Sequence, residues 1–172
     1  YHARLAAAGM PSTTWLHAVS PGRMHVPSND FSCMISTADF ERLFLPGILR
    51  ECRHMTHCIY HLDGPQALRH LDLLREVPEI QAIQWVQGLG NDWPILQWVP
   101  LIRRIQAAGK SVVVDLDLQD LEPLRLLEHL VVVHAPVARP DVVDRLIVEQ
   151  QERGMQPGAL QVAVDDGLFL LL

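Results

Sequence analysis

The feature that most constrains this chain is a recurring unit: a short apolar, β-favouring run, a polar residue at its carboxyl end, then a helix start. Ile59-Tyr60-His61-Leu62-Asp63-Gly64-Pro65 is the clearest instance, and Ala82-Ile83-Gln84-Trp85-Val86 repeats it one unit later. Trp15 to Val19 reads as a short strand ended by Pro21-Gly22, and Arg23 to Ile35 as a loop with extended pieces. Thr56 to Leu62, Ile80 to Val86, Ser111 to Leu116 and Leu130 to His134 are predicted strands. Ser111 to Leu116 is mostly apolar, as expected of a strand with both faces covered.

Helical spacing fills the intervals. Phe40, Leu43, Phe44, Ile48 and Cys52 mark one apolar face, opened by Ser36 three residues before Asp39 in a capping-box-like start. Pro46 falls inside that run and predicts a kink or a break. Pro65 suits the first turn of a helix whose buried face is Leu68, Leu71 and Leu74. Asp92 can cap a helix starting at Trp93-Pro94 and closed by Gly109. Leu118 to Glu128 is a further helix, and Pro140 opens another that ends at Gly154. Leu160 to Val164 and Leu168 to Leu172 predict a terminal hairpin around Asp165-Asp166-Gly167.

The pattern gives about five β-α units and so an α/β fold with a mainly parallel sheet. A chain of 172 residues is expected to form a single domain. An eight-stranded β/α barrel typically takes about 250 residues. The chain is therefore either an open sheet or the carboxyl-terminal part of a barrel, with 1–14 and 155–172 the least defined segments.

Composition narrows the function classes. Net charge is -6 and the 14 Lys and Arg residues are scattered, so no basic stripe is available for nucleic-acid phosphates. The apolar runs are short and interrupted, so no membrane span is expected, and the amino end lacks a signal-peptide core. The chain begins with Tyr rather than Met, as a processed or partial product would. Cys33, Cys52 and Cys58 form no C-x-x-C pair and read as buried or inert thiols of a reducing, cytoplasmic compartment.

A resemblance enters at Asp30-Phe31-Ser32-Cys33-Met34-Ile35-Ser36, with Phe40 and Leu45-Pro46 after it. Together with Tyr60-His61-Leu62-Asp63-Gly64-Pro65, Ala82-Ile83-Gln84-Trp85-Val86 and Ala107-Ala108-Gly109-Lys110, this block is similar to the uroporphyrinogen decarboxylase superfamily over about Trp15 to Ile147. The resemblance implies a (β/α)8, TIM-barrel type of fold, present here only as a partial barrel. It implies an enzyme acting on a tetrapyrrole or small carboxylate in a cleft at the strand carboxyl ends. The amino-terminal Arg-rich segment of the true decarboxylases is not found in this chain. A second branch, zinc methyltransferases that move methyl groups between corrinoid proteins and thiols, carries His-x-Cys on this strand. Here the pattern is His61-Leu62-Asp63, with a carboxylate in place of the thiolate.

The candidate site residues follow. His61 and Asp63, two apart on a strand end, can share one side, where they could hold and protonate a substrate or, if zinc is present, bind it. Their bland alternative is a helix cap at Asp63 and a satisfied polar His61. Asp30, in a loop before a helix, could stabilise charge on a pyrrole ring or serve only in a turn with Asn29. Gln84 and Trp85 end the next strand, and alternation sends one toward the cleft and the other toward the helices. Both are expected as substrate-binding residues, although packing is the commoner role for a Trp at such a place. His25, His54 and His57 read as surface or boundary residues. Asp115 and Asp117 could line a cleft, and Gly88-Leu89-Gly90-Asn91 lacks a full phosphate-binding fingerprint. The expected partner is a small-molecule substrate, with no nucleic acid and no membrane. A catalytically silent, truncated chain that pairs with a copy of itself as a homo-oligomer is the alternative from another class.

Overall fold

The computed structural model describes residues 1–16, 18–88 and 95–115, together with the backbone of strands at 130–134, 160–162 and 170–171. The chain opens with helix α1 (His2–Ala7) and an antiparallel pair, β1 (Ser12–Thr13) with β2 (Ala18–Ser20). Six strands then form one parallel sheet in chain order: β3 (Met24–His25), β4 (His57–Asp63), β5 (Ala82–Val86), β6 (Ser111–Asp115), β7 (Leu130–His134) and β8 (Leu160–Val162). The register is continuous from Ile59↔Ala82 to Asp63↔Val86 and on through Ile83↔Val112, slipping only between Val114 and Asp115. The fold is thus α/β, with a parallel sheet.

The carboxyl-terminal hairpin predicted from sequence does not form. Leu160–Val162 extends the parallel ladder beside β7, and Leu170–Leu171 forms β9, which lies parallel to β2 in a separate sheet. Each run satisfies the unpaired N–H and C=O groups of an existing strand edge instead of those of its neighbour in sequence. The expected turn at Asp165-Asp166-Gly167 lies outside the described residues, as do the helices expected over 118–128 and 140–154.

Alternation sorts the strand side chains onto two faces. Cys58, Tyr60 and Leu62, then Ile83 and Trp85, then Val112 and Val114 join one buried cluster. Every buried apolar residue of the described connecting helices falls in that same cluster, among them Phe40, Ile48, Leu71, Leu74, Ile102 and Ile105. The intervening residues Ile59, Ala82 and Val113 pack on the other face with Leu16, Ala18, Met24 and Val26. The described helices therefore cover one face of the sheet, and the amino-terminal segment closes the lower part of the other.

The helical run after Ser36 is continuous but not uniform. The Ser36 hydroxyl oxygen accepts from the Asp39 N–H at 3.1 Å and its hydrogen goes to the Asp39 carboxylate at 2.8 Å, so the cap forms as the sequence suggests. One α-turn, α2 (Thr37–Asp39), leads into π-helical turns at Phe40–Phe44 and then α3 (Leu45–Cys52). Pro46 has no N–H to donate to the preceding turn, and the wider turns there absorb that loss, so the helix neither stops nor breaks. The change of winding rotates Leu43 outward. It is 56% exposed, against the sequence expectation that it faces the core.

After β4, Gly64 takes φ +80 and ψ 158, a region that side chains beyond hydrogen rarely enter, and donates its N–H to the Val86 carbonyl at 3.0 Å. Pro65 then begins a 3₁₀ stretch (Pro65–His70) that continues into α4 (Leu71–Arg75). A 3₁₀ turn at Ile95–Trp98 leads into α5 (Val99–Gln106), and Gly109 at φ 73 turns the chain toward β6. The cap expected at Asp92 lies outside the described residues. Cys52 and Cys58 are buried free thiols and Cys33 is half-buried. No helix among the described residues is long and apolar enough to cross a membrane.

Candidate functional site

The carboxyl ends of β4 and β5 carry polar residues on the face that the described helices leave uncovered. His61 follows Ile59 by two and Gln84 follows Ala82 by two, so both lie above the apolar cluster on that face. They are direct partners in the parallel register, and His61 Nδ1 meets Gln84 Oε1 at 2.8 Å. Gln84 is only 3% exposed. Asp63 is next on the same side, exposed at the strand end. The helix cap is Gly64, with no side-chain capping bond, so Asp63 does not serve as the N-cap, and its carboxylate has no hydrogen-bond partner among the described residues.

A residue not singled out in the sequence completes the local arrangement. The Trp15 ring meets the His61 imidazole edge to face, with centroids 5.2 Å apart and planes at 83°, while staying 61% exposed. Nothing local in the sequence signals this contact, because Trp15 reaches His61 only through the turn that brings the amino-terminal segment over the sheet.

Asp30 sits on the flanking segment. Ser28 bridges to His61, and the His61 N–H donates to the Pro27 carbonyl at 3.0 Å, so this segment runs alongside the end of β4. Asp30 opens a 3₁₀ stretch, Asp30–Met34. Its charge is felt by Tyr60, whose hydroxyl pKa is pushed up first by burial and then by this carboxylate. Tyr60 belongs to the helix-side cluster, so the exposed Asp30 carboxylate lies toward that face, and it makes no hydrogen bond with His61 or Asp63.

Trp85 does not line the site. It is 1% exposed on the opposite face from Gln84 and packs edge-on against Trp98, with centroids 4.7 Å apart. Alternation left one of the pair to face the helices, and the larger, more apolar side chain takes that place because it buries more area there.

His70 holds the Asp30 segment. It is fully buried, stacks on Phe40 at 4.3 Å, and its Nε2–H donates to the Ser32 carbonyl at 2.9 Å, leaving Nδ1 without a partner. Burial, then the nearby Arg69 charge, lowers its pKa, and the bond to Ser32 offsets part of this. The unfolded chain therefore takes up a proton near the ordinary histidine value of about 6.5 that the folded chain still refuses. Stability should be complete above that pH and fall as pH drops below it, by up to about 1.4 kcal/mol per pH unit from this one group. Urea melts at neutral and mildly acid pH check this: the loss should shrink in His70→Gln, which can still donate to Ser32 but does not titrate.

Two other described histidines lie away from this site. His57 Nδ1 contacts Ser20 Oγ at 2.7 Å and Thr56 Oγ1 at 3.2 Å, fastening the amino ends of the strands. His25 lies 3.4 Å from the Glu51 carboxylate. A groove of about 350 Å³ also opens at this amino end, lined by His2, Leu5, Arg23, Met24 and Met55 among others, far along the strands from His61. Asp115 ends β6, whereas Asp117 and Leu89 to Asn91 lie outside the described residues.

The chain matches no family model, no curated protein and no solved structure. The site must therefore be read from its own chemistry. His61 offers an imidazole, the side-chain type that most often serves as a general acid or base. Asp63 adds a negative charge beside it, and Gln84 and Trp15 hold the imidazole from two directions. As metal donors, His61 and Asp63 are two where a catalytic zinc site uses three protein ligands. Among the described residues no group of three His, Cys, Asp or Glu side chains is placed to hold a metal ion.

Proposed function

We propose that the chain is an enzyme of the uroporphyrinogen-decarboxylase kind, acting on a carboxylated tetrapyrrole or small carboxylate at the carboxyl ends of β4 and β5. The observation that carries this reading is the placement of His61, Asp63 and Gln84 together at the strand ends, on the face opposite the described helices. In parallel α/β folds that end is where catalytic groups are assembled. Strands that follow chain order, with the described helices on one face, are also what an arc of a (β/α)8 barrel would have, whereas a doubly wound sheet reverses its order and is covered on both sides.

In a decarboxylation the bond to the carboxyl carbon breaks, carbon dioxide leaves, and the carbon left behind takes a proton. His61 is the group in the site that would deliver that proton, as a positioned imidazole does in general acid catalysis. Asp63 stabilises positive charge on the imidazolium or on a protonated ring. Asp30, on the segment that Ser28 anchors to β4, is exposed and would receive pyrrole N–H groups only from a ligand wide enough to reach past the strand end. The methyltransferase-like alternative would place zinc on His61 and Asp63, and the donor count among the described residues does not favour it.

Carbon dioxide release from a panel of carboxylated tetrapyrroles tests the reading. His61→Ala should lower release by about 10²–10⁴-fold, the usual worth of a positioned acid or base. Wild-type protein that releases none, but carries one zinc per chain that His61→Ala loses, would replace this reading with the methyltransferase-like one.

A further inference from the structure

We infer that Gln84 is a positioning residue that fixes which nitrogen of His61 does the work. The inference rests on the assignment of His61 to the chemistry proposed above. Gln84 Oε1 can only accept, so the 2.8 Å contact requires the proton on His61 Nδ1. Nε2 is then left with its lone pair, and it makes no hydrogen bond among the described residues.

Three features make this arrangement rigid. Gln84 is 3% exposed, so an unmet amide oxygen there would carry a desolvation cost, and the contact is retained. The two residues face each other in the ladder, so the distance between their backbones is set by the sheet. The Trp15 ring stands at 83° to the imidazole, 5.2 Å between centroids, and restrains its plane.

The chemical consequence is directional. An amide oxygen orients the imidazole without adding charge, which a carboxylate at the same place would do. Nε2 thus accepts a hydrogen bond or a proton from an N–H or O–H of the ligand, and returns that proton once the ring is charged. Nδ1 keeps its hydrogen throughout, and no net proton is consumed at Gln84. A second-strand partner that sets the tautomer of a working histidine is a recurrent device in sites that depend on one ring nitrogen.

The test reads the proton directly. Full-length protein labelled with nitrogen-15 in histidine is examined by two-dimensional spectra that correlate ring nitrogens with carbon-bound ring protons, and His61→Ala assigns the His61 signals. Wild type should show a protonated Nδ1 and a bare Nε2 in the neutral ring. Gln84→Glu, which still accepts, should keep that pattern. Gln84→Met, which cannot accept, should lose most of it and show both tautomers. A wild-type spectrum with the proton on Nε2, or a Gln84→Met spectrum unchanged from wild type, overturns the inference. Should Gln84→Met fail to fold, the wild-type spectrum alone decides. Because no turnover is read, failure here is distinct from failure of the decarboxylase reading, which the carbon dioxide measurement judges separately.

Discussion

Trp85→Ala should lower the unfolding free energy by about 3–5 kcal/mol, the usual cost of emptying a buried aromatic site. Trp85 is 1% exposed, lies in the helix-side cluster with Ile102 and Ile105, and packs on Trp98 at 4.7 Å. Truncation removes both the buried area and that ring contact, and the cavity lies between strand and helix, where backbone can relax only partly. Trp85→Phe should cost far less, no more than about 2 kcal/mol, because the buried indole Nε1–H has no partner among the described residues and its removal relieves a desolvation cost. Chemical denaturation of the three proteins checks the ordering. A cleft-lining Trp would behave differently: its truncation would weaken ligand binding and leave stability nearly unchanged, and that outcome would return Trp85 to the site.

Lys110→Met should destabilise by about 2–3 kcal/mol, although the methionine is close in volume and more apolar. Lys110 is 6% exposed, and its ammonium donates to the carbonyls of Val77 at 2.7 Å and Ile80 at 2.6 Å. These two bonds tie the start of β6 to the turn that precedes β5, beside the ladder bond from the Ser111 N–H to the Gln81 carbonyl. Val77 keeps a second donor, the Ile80 N–H at 3.2 Å, so most of the loss falls on the Ile80 carbonyl. Burial lowers the Lys110 pKa, with Glu76 and Glu79 opposing. The folded chain therefore gives up this proton before the unfolded chain does, and wild type should gain stability as pH rises through the alkaline range up to the ordinary lysine value of about 10.4. Urea melts across that range should show the gain in wild type and its absence in Lys110→Met; a Met variant as stable as wild type would reduce the two bonds to bystanders.

How much of this was legible in the sequence depended on whether the cause was local. Strand β7 falls on Leu130 to His134 as its apolar run predicts, and β4 and β5 fall within two residues of expectation. Ser36 caps as its spacing implies, since the donor is three residues away. The π-helical turns before Pro46, with the exposure of Leu43, depend on how one helix absorbs a missing N–H while keeping Phe40 and Ile48 buried, which spacing alone does not encode. The partners of β8 and β9 depend on distant edges.

The site shows the same division. Period two placed His61 with Asp63 and separated Gln84 from Trp85, but could not say which of the latter faced the helices. That choice follows from the register of β5 between β4 and β6, a property of the assembled sheet. The Trp15 contact, the Ser28 bridge and the His70 hold on the Asp30 segment each join residues far apart in the chain, and single-sequence patterns carry no trace of them.

Gly64 stands between Asp63 and the helix that follows, in a backbone state almost reserved for glycine, with its N–H bound to β5. A residue that does no chemistry thereby sets the heading of one that can. Tolerance to substitution at this point would measure a direction in space, and a chemically silent position would look as indispensable as a reacting one.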